Sequence, residues 1–186
     1  MGPLRPTPPL LGPFNDSCHN APQTDCAYRF APFARAICSI DVAGPNASTP
    51  MKLSLSKEYG TPLPFVDHLG IERVASEEGR ALLALKIKPE HRNSWNAAHG
   101  GVIMTLLDSA MSLAARLHIH GAPGGILTIE MNAKFISPGV GERLVAEGRV
   151  IGGKSTLFCE AEVRDESGTL LAKGMGTLRP VRRKDA

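Results

Sequence analysis

An α+β domain, with an antiparallel sheet curled around one central helix, is the fold class that this 186-residue sequence predicts. Three observations carry the expectation. A single segment, Gly100 to about His118, keeps a helical period at length, and its apolar residues cover most of its circumference, so it should be buried on nearly every side. Alternating segments that read as strands lie before and after it. The gaps between the later strands are of hairpin length, too short for the crossovers that parallel strands require.

The domain is expected over residues 51–186. Residues 1–50 hold nine of the 15 prolines and three of the four cysteines, but no lysine or glutamate. Pro3, Pro6, Pro8, Pro9 and Pro13 preclude a regular helix, and the stretch reads as an extended or disordered leader. Arg5, Arg29 and Arg35 balance Asp16, Asp25 and Asp41 there, so the net charge of +3 arises entirely after residue 50. That excess is too small to argue for nucleic acid. A hydrophobic share of 42% excludes a wholly disordered chain, and no long charge-free apolar run marks a membrane span. Cys18, Cys26 and Cys38 lack zinc-site spacing, and four cysteines do not make a dense disulfide framework. No secretory segment opens the chain, which predicts a cytosolic protein and leaves the sequons at Asn15 and Asn46 without use.

Within the domain, Pro64–Leu69 reads as one short helix that Gly70 can end. Ile71–Ser76 and Arg80–Lys88 read as strands joined at Glu77-Glu78-Gly79; Ala81, Leu83, Leu85 and Ile87 mark the buried face of the second. A polar loop over residues 89–99 leads into the helix. In the next strand Leu127, Ile129, Met131, Ala133 and Phe135 alternate with Thr128, Glu130, Asn132 and Lys134, until Ser137-Pro138-Gly139 breaks it. Strands at about 142–151, 155–164 and 169–179 follow, with turns at Gly152-Gly153 and Glu166-Ser167-Gly168. Cys159 shares a face with Leu157, Ala161 and Val163 and is read as a small buried hydrophobe. One helix cannot cover both faces of such a sheet, so an assembly of at least two copies is expected.

Asp108 is the informative residue. It is the only acidic side chain between Glu90 and Glu130, and it sits mid-helix. Thr105, Asp108 and Ser112 fall at i, i+3 and i+7, one polar stripe on an apolar cylinder. A carboxylate there must find partners or face water. At the start of the helix, His99-Gly100-Gly101 presents unsubstituted backbone where the first amides lack internal acceptors and the dipole favours negative charge, a place suited to a developing oxyanion. Asp108 lies about 12–13 Å from His99 by helical rise, so a site that combines them needs the loop to fold back or a second subunit to contribute.

The run Asn93-Ser94-Trp95-Asn96-Ala97-Ala98-His99-Gly100-Gly101, followed nine residues after His99 by Asp108-Ser109, resembles the signature of the hotdog-fold acyl-CoA thioesterases of the phenylacetic-acid-degradation (PaaI-type) family. Ile129 to Pro138 resembles that family's following strand and Gly153-Lys154-Ser155 its later hairpin, so the likeness spans roughly residues 60–180. The resemblance implies a hotdog fold and hydrolysis of an acyl- or aryl-CoA to free acid and CoA. Asp108 would be the general base that activates water, or the nucleophile that attacks the thioester. The Gly100 N–H would hold the oxyanion, with Gly101 beside it against the substrate. Asn93 would orient water or carbonyl, His99 would position the loop or hydrogen-bond near the thioester, and Thr128 would help to orient water. These groups would meet across a dimer interface, in a dimer or a dimer of dimers (a homotetramer).

Each assignment has a plainer counterpart. A histidine before a helix is often a cap, Thr128 suits any strand, and Trp95 either flanks the substrate or packs the loop down. CoA phosphates call for cations; Lys154 with Ser155 is the first choice, ahead of Arg179, Arg182, Arg183 or Lys184, although basic residues on turns are usually just solvated. The reaction needs no metal and no redox cofactor. Two other readings share the architecture. A hotdog hydratase or dehydratase would pair its carboxylate with a catalytic histidine, and a non-catalytic acyl-CoA-binding protein would sit beside a DNA-binding module, for which the leader has no basic cluster.

Overall fold

The computed structural model describes residues 53–120 and 125–181; the leader and Arg182, Arg183 and Lys184 lie outside them. In chain order the elements are β1 (Leu53–Ser54), α1 (Leu55–Tyr59), α2 (Pro64–Leu69), β2 (Ile71–Glu77), β3 (Arg80–Lys86), a 3-10 turn at Pro89–His91, α3 (Gly100–His118), β4 (Ile126–Phe135), β5 (Arg143–Gly153), β6 (Leu157–Asp165) and β7 (Leu170–Pro180). Every strand pairing is antiparallel, in the order β1-β2-β3-β5-β6-β7-β4.

This is the expected helix in a curled sheet. Proline at its first position starts α2, and Gly70 at φ +77° ends it, a left-handed conformation that costs glycine nothing. Alternation builds the later strands: Leu157, Cys159, Ala161 and Val163 of β6 are all buried on the helix side. The helix packs against β2 through β7. Its Leu106, Leu107, Ala110, Met111, Leu113 and Ala114 are wholly inaccessible, and each of the larger side chains contributes roughly 1.5–3 kcal/mol by leaving water. By length and composition α3 resembles a membrane span, but here it is the core of the sheet's concave face. Where it presses closest, a Cβ added to Gly148 of β5 would lie 2.3 Å from the Ala110 carbonyl carbon and oxygen, so only glycine lets helix backbone and sheet backbone meet.

Several expectations need correction. The helix is not buried on nearly every side: Met104, Thr105, Asp108, Ser109, Ser112 and Arg116 form one half-exposed stripe. In β3 both faces are buried, because Leu82 and Ala84 join Val74 and Val145 in a second, smaller cluster opposite the main core. That strand ends at Lys86, two residues early. β1 and α1 were not expected. The turn after β5 is Lys154-Ser155-Thr156, with Gly153 still paired to Leu157.

The largest departure is in β4. Its register against β7 slips between Thr128 and Glu130, the mark of a bulge at Ile129. Before the slip Ile126 and Thr128 face the helix; after it Met131 and Ala133 do. The regular alternation read from the sequence puts Thr128 on the face opposite Met131, whereas the extra residue turns both inward. Leu127, Ile129 and Phe135 stay more than half exposed on this edge strand.

Candidate active site

The loop before α3 is built by its own polar groups. The Asn93 side-chain Oδ1 accepts the N–H of Trp95 at 3.0 Å and of Ala97 at 3.1 Å. The Asn93 N–H donates to the Ala97 carbonyl at 2.8 Å, with Asn96 in the left-handed region at φ +60°. Buried Ala97 and Ala98 seat the loop, and the Ala98 N–H donates to the Gly139 carbonyl at 2.7 Å. Arg92 closes its base by donating to the carbonyls of Asn96 (2.7 Å) and Gly141 (3.2 Å). The His99 N–H donates to the His91 carbonyl at 2.8 Å.

That scaffold fixes His99 as the N-cap of α3. Its Nδ1 accepts the Gly101 N–H at 3.0 Å. The amides of Val102 and Ile103 reach the His99 carbonyl at 3.0 and 3.2 Å. Of the first-turn amides, only Gly100 has no acceptor among the described residues. The N–H expected to polarise a carbonyl is therefore the one that remains, at the positive end of the helix dipole. The Gly101 N–H, by contrast, is consumed by the cap.

Two turns along, Asp108 lies half-buried on the open stripe, and the Thr128 Oγ1 donates to its Oδ1 at 2.6 Å. No hydrogen bond to its Oδ2 comes from the described residues. Thr105 spends its hydroxyl on the Gly101 carbonyl at 2.9 Å. At the far end of the stripe the Arg116 guanidinium lies 5.0 Å from the centroid of the Tyr59 ring, delivered by α1. Burial pushes the Tyr59 phenol up to about 12; Arg116 opposes the shift, and the charges of Asp108 and Glu58 add to it. Neither Tyr59 nor Arg116 was singled out from the sequence. Arg116 sits eight residues beyond Asp108, in line with the stripe, and that spacing was the available signal.

The remaining expected residues divide. Trp95 is 88% exposed, so it does not pack the loop down within this chain. Lys154 and Ser155 are exposed on their hairpin. The pairings Leu157 to Leu178 and Leu178 to Thr128 put that hairpin at the Thr128 end of the sheet, roughly 10 Å across two strand spacings. Cys159 is buried, its thiol pushed up to about 11 by that burial, which suits packing and not nucleophilic work. Within one chain Gly100 and Asp108 stay eight residues apart along α3, about 12 Å by rise. Among the described residues no three His, Cys, Asp or Glu side chains converge as a metal would need.

A family model described as the thioesterase superfamily matches residues 96–172. The chain is 31% identical over 110 residues to human acyl-coenzyme A thioesterase 13, covering 58% of this chain and 77% of that protein. It is 31% identical over 105 residues to 1,4-dihydroxy-2-naphthoyl-CoA hydrolase of Listeria monocytogenes, covering 55% of this chain and 84% of that one. Among solved structures, PaaI from the Escherichia coli phenylacetic acid degradation operon superposes with a TM-score of 0.61 at 21% identity over 69% of this chain and 91% of that chain, a likeness of fold alone. A conserved protein of Pseudomonas aeruginosa gives 0.62 at 28% identity, over 68% of this chain and 99% of that one.

Proposed function

Because this chain belongs to the thioesterase superfamily, with a hotdog fold of the PaaI type, it is a thioester hydrolase, and we propose that it cleaves acyl- or aryl-CoA thioesters at a site built on Asp108. The observation that carries the reading is the Thr128–Asp108 hydrogen bond on the open stripe of α3. It aims a lone carboxylate, whose other oxygen has no hydrogen bond among the described residues, on a helix whose first turn offers the unclaimed Gly100 N–H.

Water supplies the oxygen. Asp108 Oδ2 takes a proton from it as it adds to the thioester carbon, and the carbonyl oxygen becomes an oxyanion against the Gly100 N–H. Collapse then breaks the C–S bond, and the proton passes to the departing sulfur, giving free acid and CoA thiol. Direct attack by Asp108 through an acyl-aspartyl anhydride uses the same contacts. Asn93 has an Nδ2 donor to offer, since the loop uses only its Oδ1. Lys154 and Ser155 are the proposed partners of the CoA phosphates.

The separation of Gly100 from Asp108 is resolved by two copies. Phe135 is the nearest side chain to the Cα face of Gly100, its ring 3.6 Å from where a Cβ would stand, while Thr128 touches Asp108. Antiparallel pairing of the β4 edge with its own copy lays the Thr128 end of one strand along the Phe135 end of the other. Each Asp108 then meets the helix start of the second copy. A thiol-trapping screen of aromatic, short-chain and long-chain acyl-CoAs tests the proposal. Turnover of at least one class is expected, and Asp108→Asn should lower kcat by about 10²–10⁴. Equal rates for wild type and Asp108→Asn would remove the mechanism.

A further inference from the structure

One titratable side chain in the core has no role so far. His91 is 1% exposed, in the 3-10 turn that opens the loop. Its Nδ1 accepts the Lys88 N–H at 3.2 Å, while its own N–H returns to the Lys88 carbonyl at 3.0 Å. An acceptor at Nδ1 requires the proton on Nε2, and among the described residues that buried nitrogen makes no well-formed hydrogen bond, although the Lys86 backbone lies close enough to act on the ring. The carbonyl of the same residue receives the His99 N–H at 2.8 Å, and His99 in turn caps α3. A continuous chain of hydrogen bonds thus runs from the Lys88 amide through the His91 residue to the helix start that carries Gly100.

We propose that His91 is a positioning residue whose neutral ring anchors the turn bearing His99 and Gly100, so that a second proton on the ring displaces the oxyanion donor and stops hydrolysis while the fold persists. A proton on Nδ1 removes the acceptor for Lys88 and leaves a charge where water does not reach. Burial already pushes the pKa below the ordinary histidine value. Glu90 opposes that shift, Lys88 adds to it, the Lys86 carbonyl opposes it, and His68 of α2 adds to it. The unfolded chain therefore binds more protons as pH falls below about 6.5, and the anchored form weakens from there downward. A displacement of a fraction of an ångström at a donor aimed at an oxyanion is enough to lower turnover strongly.

The inference rests on the proposed hydrolysis, so the test has a readout that does not depend on it. His91→Asn keeps an acceptor in the Nδ1 place and cannot titrate; His91→Phe fills the site and has no acceptor. The amide resonances of Lys88 and His99 are followed against pH in wild type and His91→Asn. In wild type they should shift together with one midpoint below about 6.5, and in His91→Asn that step should be missing. With the acyl-CoA turned over best, His91→Phe should lower kcat about tenfold or more at neutral pH with KM little changed, and His91→Asn should restore most of it and move the acid limb to lower pH. Amides that titrate alike in both proteins, or an acid limb that stays where it is in His91→Asn, overturn the proposal. If wild type hydrolyses nothing, the catalytic consequence falls with the proposed function, and the amide shifts still decide whether His91 anchors the turn.

Discussion

Asp108 and Thr128 are twenty residues apart in sequence and 2.6 Å apart between oxygens in space. Both were legible as candidates, the first as a solitary carboxylate on an apolar helix and the second by resemblance. Their bond was not, because it depends on a bulge that moves Thr128 to the inner face. Removing the hydroxyl while keeping the shape, Thr128→Val, should lower kcat about tenfold to a hundredfold, the worth of a hydrogen bond to a charged group, and Thr128→Ser should recover it. His99 resolved toward its plainer reading as a cap. His99→Ala should destabilise the fold by about 1 kcal/mol in urea unfolding, and His99→Asn should restore most of that. His91 left no trace in the sequence because a single histidine in a polar loop has no period that reports burial.

The long helix and the longer strands were readable from period alone, and β6 shows why: Leu157, Cys159, Ala161 and Val163 alternate on a face with no extra residue in β6 to shift them. In β4 the apolar alternation from Leu127 through Phe135 looks equally regular, yet Leu127 and Ile129 face away from the core. A bulge adds one residue without a change of composition, so alternation cannot reveal it. β1 and α1 are two and five residues long, too short for a period, which hid Tyr59. The contact that sets the depth of α3 in the sheet was also invisible, since Gly148 reads only as a weak strand residue. Gly148→Ala forces a methyl into the Ala110 carbonyl and should cost about 1–3 kcal/mol or displace the helix, measured by the urea midpoint and the Asp108 turnover together.

At the scale of the whole molecule, sheet order is what the sequence could not supply, because β4 pairs with β7 across a separation that no local signal spans. That order makes β4 an edge with Leu127, Ile129 and Phe135 at 55%, 59% and 56% exposure, and such edges are paired or protected in native proteins. Ile129→Lys should shift the protein to a smaller hydrodynamic size and lower kcat in parallel. The central claim is that Asp108 of one copy works with the helix start of another. Co-expression of Asp108→Asn, carrying one affinity tag, with a Gly100→Pro chain carrying a second tag measures this directly, since proline removes the donor N–H. Each variant alone should be inactive, while the doubly purified heterodimer, which holds one site with both partners intact, should recover about half the wild-type rate per dimer. A heterodimer as inactive as its parents, or an Asp108→Asn protein that still turns over acyl-CoA, would contradict the account.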